Sequence, residues 1–273
     1  MPMASRISRI AVAVLAFSAL AAGAGSIVVN PRDDRGLWEG WGSSLCWWGN
    51  AIGGSRYEEL HADLMFTTGT VAYAGQELPG LGLNILRYNI GGSGRGAESG
   101  EVVSPKIPWF RQIDGFWPEA GAAGWDWSRD GRQRRLLLAA CRRGVDRVEF
   151  FANAPMWWMT DSRSSAGGRL RPEDEQNFAH YLAAVVAQAQ DNWGIAVASI
   201  EPFNEPQAEW WVYPKDQEGC HIPKPQQAAI LGHLRHELDA LKLQQVRMAT
   251  ADENTVTAAR EGYEFLKRQG VAE

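Results

Sequence analysis

The sequence predicts an α/β protein of the (β/α)8-barrel type. Three observations carry this expectation. Strand-like and helix-like stretches alternate along the chain, long Gly- and Pro-rich segments follow the strands while short ones precede them, and the chain is long enough for one large domain. Alternation implies parallel strands, because a crossover helix is what returns the chain to start another strand in the same direction. About five such units can be counted, so the barrel reads as truncated after the fifth.

The chain opens on what reads as an export signal over residues 1–24. Arg6 and Arg9 precede the apolar stretch Ile10 to Ala22, and Ala22-Gly23-Ala24 suits a signal peptidase. That apolar run is shorter than the roughly 20 residues a spanning helix needs. The expected product is secreted and extracellular, with no membrane partner after cleavage and residues 25–273 forming the N-terminal portion of the barrel domain.

Ser26 to Asn30 reads as a short strand, and Trp38 to Trp48 leads through glycines into a second extended stretch. Ser55-Arg56-Tyr57-Glu58 fits a capping box opening a helix that runs to about Phe66. Leu83 to Ile90 is an apolar strand interrupted by Arg87 and Asn89. A long loop follows, then a helix capped by Ser128 and ended by Gly144. Arg147 to Asn153 is the next strand. Pro172 opens a helix whose Phe178, Tyr181, Leu182, Val185 and Ala189 share one face. Val197 to Phe203 is a fourth strand, and Ile230, Leu234, Leu238 and Leu241 mark the apolar stripe of the next helix. Val246 to Ala251 forms the fifth, before a last helix from about Thr255 to Gln269.

Charge and cysteine content narrow the function. A net charge of −5 with scattered Lys and Arg leaves no basic footprint for nucleic acid. Three cysteines allow one disulfide at most. Cys46 and Cys220 are the pair that could meet at one rim, whereas Cys141 lies in a helical stretch as a small apolar residue.

The tryptophans point to a ligand. Of thirteen, six form the doublets Trp47-Trp48, Trp157-Trp158 and Trp210-Trp211, each following an expected strand and so gathering at one rim. Indole faces suit sugar rings, whose C–H bonds form an apolar surface. Filling core space is the ordinary use of tryptophan, and one ring of each doublet is expected to serve it. Asn204-Glu205, between Pro202 and Pro206, lies just past the fourth strand, where a carboxylate can point into the barrel mouth. Most strand-end glutamates are solvated or structural. Here the adjoining asparagine and the tryptophan setting favour a carboxyl group that donates a proton to a leaving glycosidic oxygen.

Four segments resemble glycoside hydrolase family 30, and within it the endo-β-1,6-galactanase-like branch. They are Trp38-Glu39-Gly40-Trp41-Gly42-Ser43-Ser44-Leu45-Cys46-Trp47-Trp48, Leu83-Asn84-Ile85-Leu86-Arg87-Tyr88-Asn89-Ile90-Gly91-Gly92, Phe151-Ala152-Asn153-Ala154-Pro155-Met156-Trp157-Trp158-Met159, and Ile200-Glu201-Pro202-Phe203-Asn204-Glu205-Pro206. The resemblance implies a retaining endo-glycosidase acting on β-1,6-galactan or a related β-linked polysaccharide or oligosaccharide. It makes Glu205 the general acid/base, sets Asn204 against the sugar, and places Arg87 in the site with Trp157 as a subsite wall. Asn89, Asn153, Trp47 and Asp252 are further candidates for substrate binding at the same rim.

The sequence departs from the family in two ways. The nucleophile expected after a seventh strand is absent, and so is most of a β-sandwich side domain. Glu149, Glu201 and Glu253 are the nearest substitutes, but the first two lie within strands and the third at the wrong strand end for carboxyl groups about 5 to 5.5 Å apart. The chain by itself is therefore expected to be inactive. The alternative function is a non-catalytic carbohydrate-binding remnant.

Neither cofactor nor metal is expected. Gly92-Ser93-Gly94-Arg95-Gly96-Ala97 matches a dinucleotide fingerprint, yet Pro105 and Pro108 follow where a helix must begin. His233 and His236 lie one helical turn apart without a third ligand, as on a solvated helix face.

Overall fold

The computed structural model describes residues 30, 32–33, 36–95, 99–121 and 123–272. Two compact units divide the chain, residues 1–39 and 40–273. The expected export signal lies outside the described residues, as does the Ser26–Asn30 strand up to position 29.

In the second unit the elements run β1 (Gly42–Ser44), α1 (Trp48–Ile52), α2 (Glu58–Phe66), β2 (Thr70–Tyr73), β3 (Gln76–Pro79), β4 (Ile85–Asn89), α3 (Gly131–Cys141), β5 (Arg147–Phe151), β6 (Ala166–Arg169), α4 (Glu175–Asn192), β7 (Val197–Glu201), β8 (Gly219–His221), α5 (Lys224–Ala240), β9 (Arg247–Met248) and α6 (Val256–Arg268). Five of the strands form one sheet in the order β1-β4-β5-β7-β9, every neighbouring pair parallel. This is the α/β fold expected from the alternation.

Register separates the two faces of the sheet. Tyr88, Phe150 and Ile200 stand side by side and are fully buried, as is Leu86, with Val148 beside it almost so. They pack under Leu136 and Leu137 of α3, Phe178, Leu182 and Val185 of α4, and Ile230 and Leu234 of α5. Burial of each large apolar side chain contributes about 1.5–3 kcal/mol. The alternate positions point the other way and are polar: Ser44, Arg87, Glu149 and Ser199 are register partners across β1, β4, β5 and β7. A sheet with helices on one face and charge on the other brings its functional side chains to the uncovered face.

Several local expectations need correction. The helix after Ser55 begins at Glu58, and Ser55 Oγ accepts from Tyr57 N, while Glu58 N–H, the donor a capping box would satisfy with that hydroxyl, goes to the Ser55 carbonyl. Glu58 is held elsewhere, by Gly54 N–H and by Arg135 at 2.9 Å. Ser128 caps no helix: its hydroxyl donates to Asp126, and α3 starts only after Asp130, whose φ of 48° breaks the path into the helix. Leu241 is exposed, because α5 ends at Ala240 and the stripe stops at Leu238. All three cysteines are free; Cys46 Sγ accepts from Asn153 Nδ2 at 3.5 Å, and Cys220 is buried on β8. The last helix falls where expected, and Thr255 caps it, its Oγ1 accepting from Ala258 N at 3.1 Å.

Candidate active site

The middle of β4 and β5, the end of β7 and the loop beyond β9 converge on one guanidinium. Arg87 Nε stands 3.2 Å from Glu149 Oε1, and Nη2 stands 3.2 Å from Glu201 Oε2 and 2.5 Å from Asp252 Oδ2. The plane of Arg87 lies over the Phe151 ring, with Cζ 3.6 Å from its centroid. An arginine on a mostly apolar strand requires carboxylate partners, and here it has three. Ser199 Oγ adds a hydrogen bond to Glu149 at 2.9 Å.

One cation among three acids leaves surplus negative charge. Glu201 shows the result. Burial first, then the charges of Asp252 and Glu149 working against Arg87, push its carboxyl up to about 8. A cavity of about 270 Å³ opens on this face toward the strand starts, lined by Gly42, Ile85 and Arg147 together with Arg87 and Glu149, and away from Glu201, Glu205 and Asp252. A larger one, about 530 Å³, lies between Asp161, Arg171, Glu173, Pro223 and Gln226 and touches none of these acids.

Glu205 follows β7 by four residues. Its backbone φ is 48°, a left-handed value that residues bearing a side chain adopt at a cost. Two neighbours hold it there. Glu205 N–H donates to Asp252 O at 2.7 Å, and Glu205 O accepts from Trp211 Nε1 at 2.8 Å. Partial burial, then the charge of Asp252, raise the Glu205 carboxyl above the usual carboxylate range. A carboxyl group that keeps its proton is what general acid catalysis needs. Asn204 beside it is half-buried.

The remaining expected site residues divide. Trp47 is half-buried, while Trp48 joins the core and stacks on Phe66. Trp210 is exposed and Trp211 buried, the division expected of a doublet. Trp157 and Trp158 depart from it, since both are buried; Trp157 is 3% exposed, with Nε1 donating to Pro118 O and Arg163 over its ring. Trp157 therefore offers no open face in this arrangement. Asn89 is fully buried and its amide is used up, Nδ2 donating to Glu218 at 3.0 Å and Oδ1 accepting from Asn153 N–H at 3.2 Å. It reaches the rim only through Asn153, itself nearly buried.

Sequence reasoning missed Glu218. This fully buried carboxyl also accepts from Gly92 N and Ile113 N, tying the β4 end to the long loop after it. Burial raises it well above the usual carboxylate range, against those hydrogen bonds. Nothing local marks it, because it sits in a loop whose neighbours are ordinary. The glycine-rich loop after β4 is filled from within: Glu101 Oε2 accepts from Ser93 Oγ, Gly94 N and Arg95 N. The N–H groups of Gly94 and Arg95 are thus occupied by this chain's own carboxylate.

Fold and rim together define a parallel βα protein whose polar site lies at the strand C-terminal ends. Comparison places it further: the sequence model of O-glycosyl hydrolase family 30 matches residues 24–262, and the chain belongs to that family. It is 38% identical over 258 residues to an endo-β-1,6-galactanase of Hypocrea rufa, a match covering 90% of this chain and 53% of that enzyme. Among solved structures it is similar to a conserved exported protein from Bacteroides fragilis, with TM-score 0.68 and 22% identity over 83% of this chain and 46% of that one. The catalytic domain of the family 30 xylanase C from Talaromyces cellulolyticus gives TM-score 0.61 and 18% identity over 85% and 50%. These two likenesses show the shared fold. The chain spans about half the length of the galactanase and of both solved structures.

Proposed function

We propose that this chain carries the acid/base half of a secreted, retaining endo-β-1,6-galactanase, with Glu205 as the proton donor. One observation supports it above the rest: Glu205, past the end of β7, is clamped on both sides of its own residue and is harder to ionise than an ordinary glutamate. In the first step Glu205 protonates the departing glycosidic oxygen while a second carboxylate attacks the anomeric carbon. In the second step Glu205 takes a proton from the water that releases the sugar. Asn204, Asn153 and Trp47 are the proposed substrate contacts, with Arg87 holding the acidic rim in place.

Similarity to the Hypocrea rufa galactanase supports the β-1,6-galactan assignment. In this reading the nucleophile comes from polypeptide other than these 273 residues, so the chain alone binds oligosaccharide without turning it over. Export is supported by the Arg6, Arg9 and Ile10–Ala22 pattern. The test is digestion of β-1,6-galactan, β-1,6-glucan and xylan by the enzyme bearing both carboxylates, followed by proton NMR. Galactose oligomers released with retained β-configuration are expected. Preference for another glycan overturns the substrate, and inversion overturns the mechanism.

A further inference from the structure

Glu205 is held at φ 48°, a left-handed conformation that a residue bearing a side chain keeps only where its surroundings over-determine it. Trp211 supplies one restraint. It is buried, and its ring lies so close to Gly219 that an added Cβ there would stand 2.2 Å from a ring carbon. Asp252 supplies the other restraint through its main-chain carbonyl, 2.7 Å from Glu205 N. Its side chain is fixed independently, at 2.5 Å from Arg87 Nη2. Arg87 in turn is anchored to Glu149 of β5 and Glu201 of β7.

We propose that Asp252 is the positioning residue of Glu205: its carbonyl fixes the Glu205 backbone, and its carboxylate, locked by Arg87, presents a fixed negative charge to the Glu205 side chain. This rests on the reading of Glu205 as acid/base. A like charge nearby favours the protonated form of a carboxyl group, which is the form that must donate. The other charges around the pair are Glu253, next to Asp252, which is raised in part by the charge of Glu205, and Lys224 of α5, which bears on Glu253; Arg87 pairs with Asp252, and the charges of Asp252 and Glu149 bear on Glu201. Burial first, then Asp252, raise the Glu205 carboxyl.

Asp252→Asn separates the two roles, since it keeps the main-chain carbonyl and removes the charge. The measurement is a carbon-detected NMR titration of the Glu205 carboxyl in the chain and its variant, beside the pH profile of kcat/KM on β-1,6-galactan in the complete enzyme. The Glu205 midpoint is expected to move to lower pH, and the basic limb of the profile to move with it, with KM unchanged. An unmoved midpoint overturns the proposal. So does a raised KM with an unmoved pH profile, which assigns Asp252 to the substrate. Asp252→Ser keeps the same carbonyl without the charge and gives the same reading if the asparagine variant does not fold. The titration needs no turnover. If the midpoint shifts while Glu205→Gln leaves galactan hydrolysis intact, the acid/base assignment fails and the influence of Asp252 on Glu205 stands.

Discussion

Arg87 Nη2 on β4 lies 2.5 Å from Asp252 Oδ2 in the loop beyond β9, joining strands that are not neighbours in the sheet. Because the same guanidinium holds Glu149 and Glu201, removing it leaves three acids facing one another. Breaking a mostly buried ion pair from one side costs about 3–5 kcal/mol, and partial exposure of Arg87 reduces that figure. Arg87→Met is expected to lower stability by roughly 2–4 kcal/mol in urea denaturation. Arg87→Lys should recover only part of the loss, since one ammonium cannot reproduce three directed contacts. A loss below about 0.5 kcal/mol for Arg87→Met would mean the cluster is well solvated.

Glu201 gives the stability a pH dependence of definite sign. Its carboxyl is held up to about 8 in the folded protein against an ordinary 4.5. Between those values the unfolded chain has lost a proton that the native one keeps, so stability falls as pH rises from about 4.5 to about 8. The decline is on the order of a few kcal/mol. Thermal melts across that range should show the natural chain losing Tm relative to Glu201→Gln, whose amide oxygen can still accept from Arg87. Parallel Tm curves for the two would remove Glu201 as the cause.

The family resemblance puts Trp157 at the rim as a subsite wall, and an alanine at such a wall would weaken oligosaccharide binding with the fold intact. Its burial against Gly94, Gly100 and Arg163 reverses that expectation. Trp157→Ala opens a large cavity and should cost about 3–5 kcal/mol. Calorimetric titration beside a thermal melt separates the two roles, and unchanged Tm with lost binding would return the ring to the substrate.

The five-strand frame was legible because it follows the strongest signals in a sequence. Leu86, Tyr88, Val148, Phe150 and Ile200 are apolar at alternate positions, and the amphipathic helices after them have one continuous buried stripe. The hairpin of β2 and β3 was not legible. Its turn is Ala74-Gly75, both at positive φ, where an asparagine or aspartate before the glycine would have announced it. Helix starts were also misjudged, since Ser55 and Ser128 satisfy nearby loop groups in place of helix ends. In the site, Glu205 could be placed just past the fourth strand from the alternation of elements, whereas Arg87 was placed there by the family resemblance and Asp252 was only a further candidate at the same rim. That Glu149 and Glu201 share Arg87 follows from the period of two, which sends every second residue to the face away from the helices. Glu218 had no such signal, because its partners Asn89, Gly92 and Ile113 are more than a hundred residues away in sequence.

The acid role of Glu205 can be separated from a structural one by the leaving group. Its side chain is half-buried and makes none of the contacts that fix the loop, which run through its backbone N–H and C=O. Glu205→Gln therefore keeps the clamp from Asp252 and Trp211 and removes only the proton donor. In the enzyme bearing both carboxylates, kcat/KM on β-1,6-galactan should fall by about 10²–10⁴, the usual worth of a positioned general acid. On an aryl galactoside whose phenolate leaves without protonation, the bond-breaking step should be nearly unaffected, while release of the glycosyl intermediate slows because no base activates water. A burst of phenolate followed by slow turnover is the expected signature. Equal losses on both substrates, with no burst, would make Glu205 the nucleophile or a structural residue, and would move the search for the proton donor to Glu201 and Glu253, whose carboxyls are also raised.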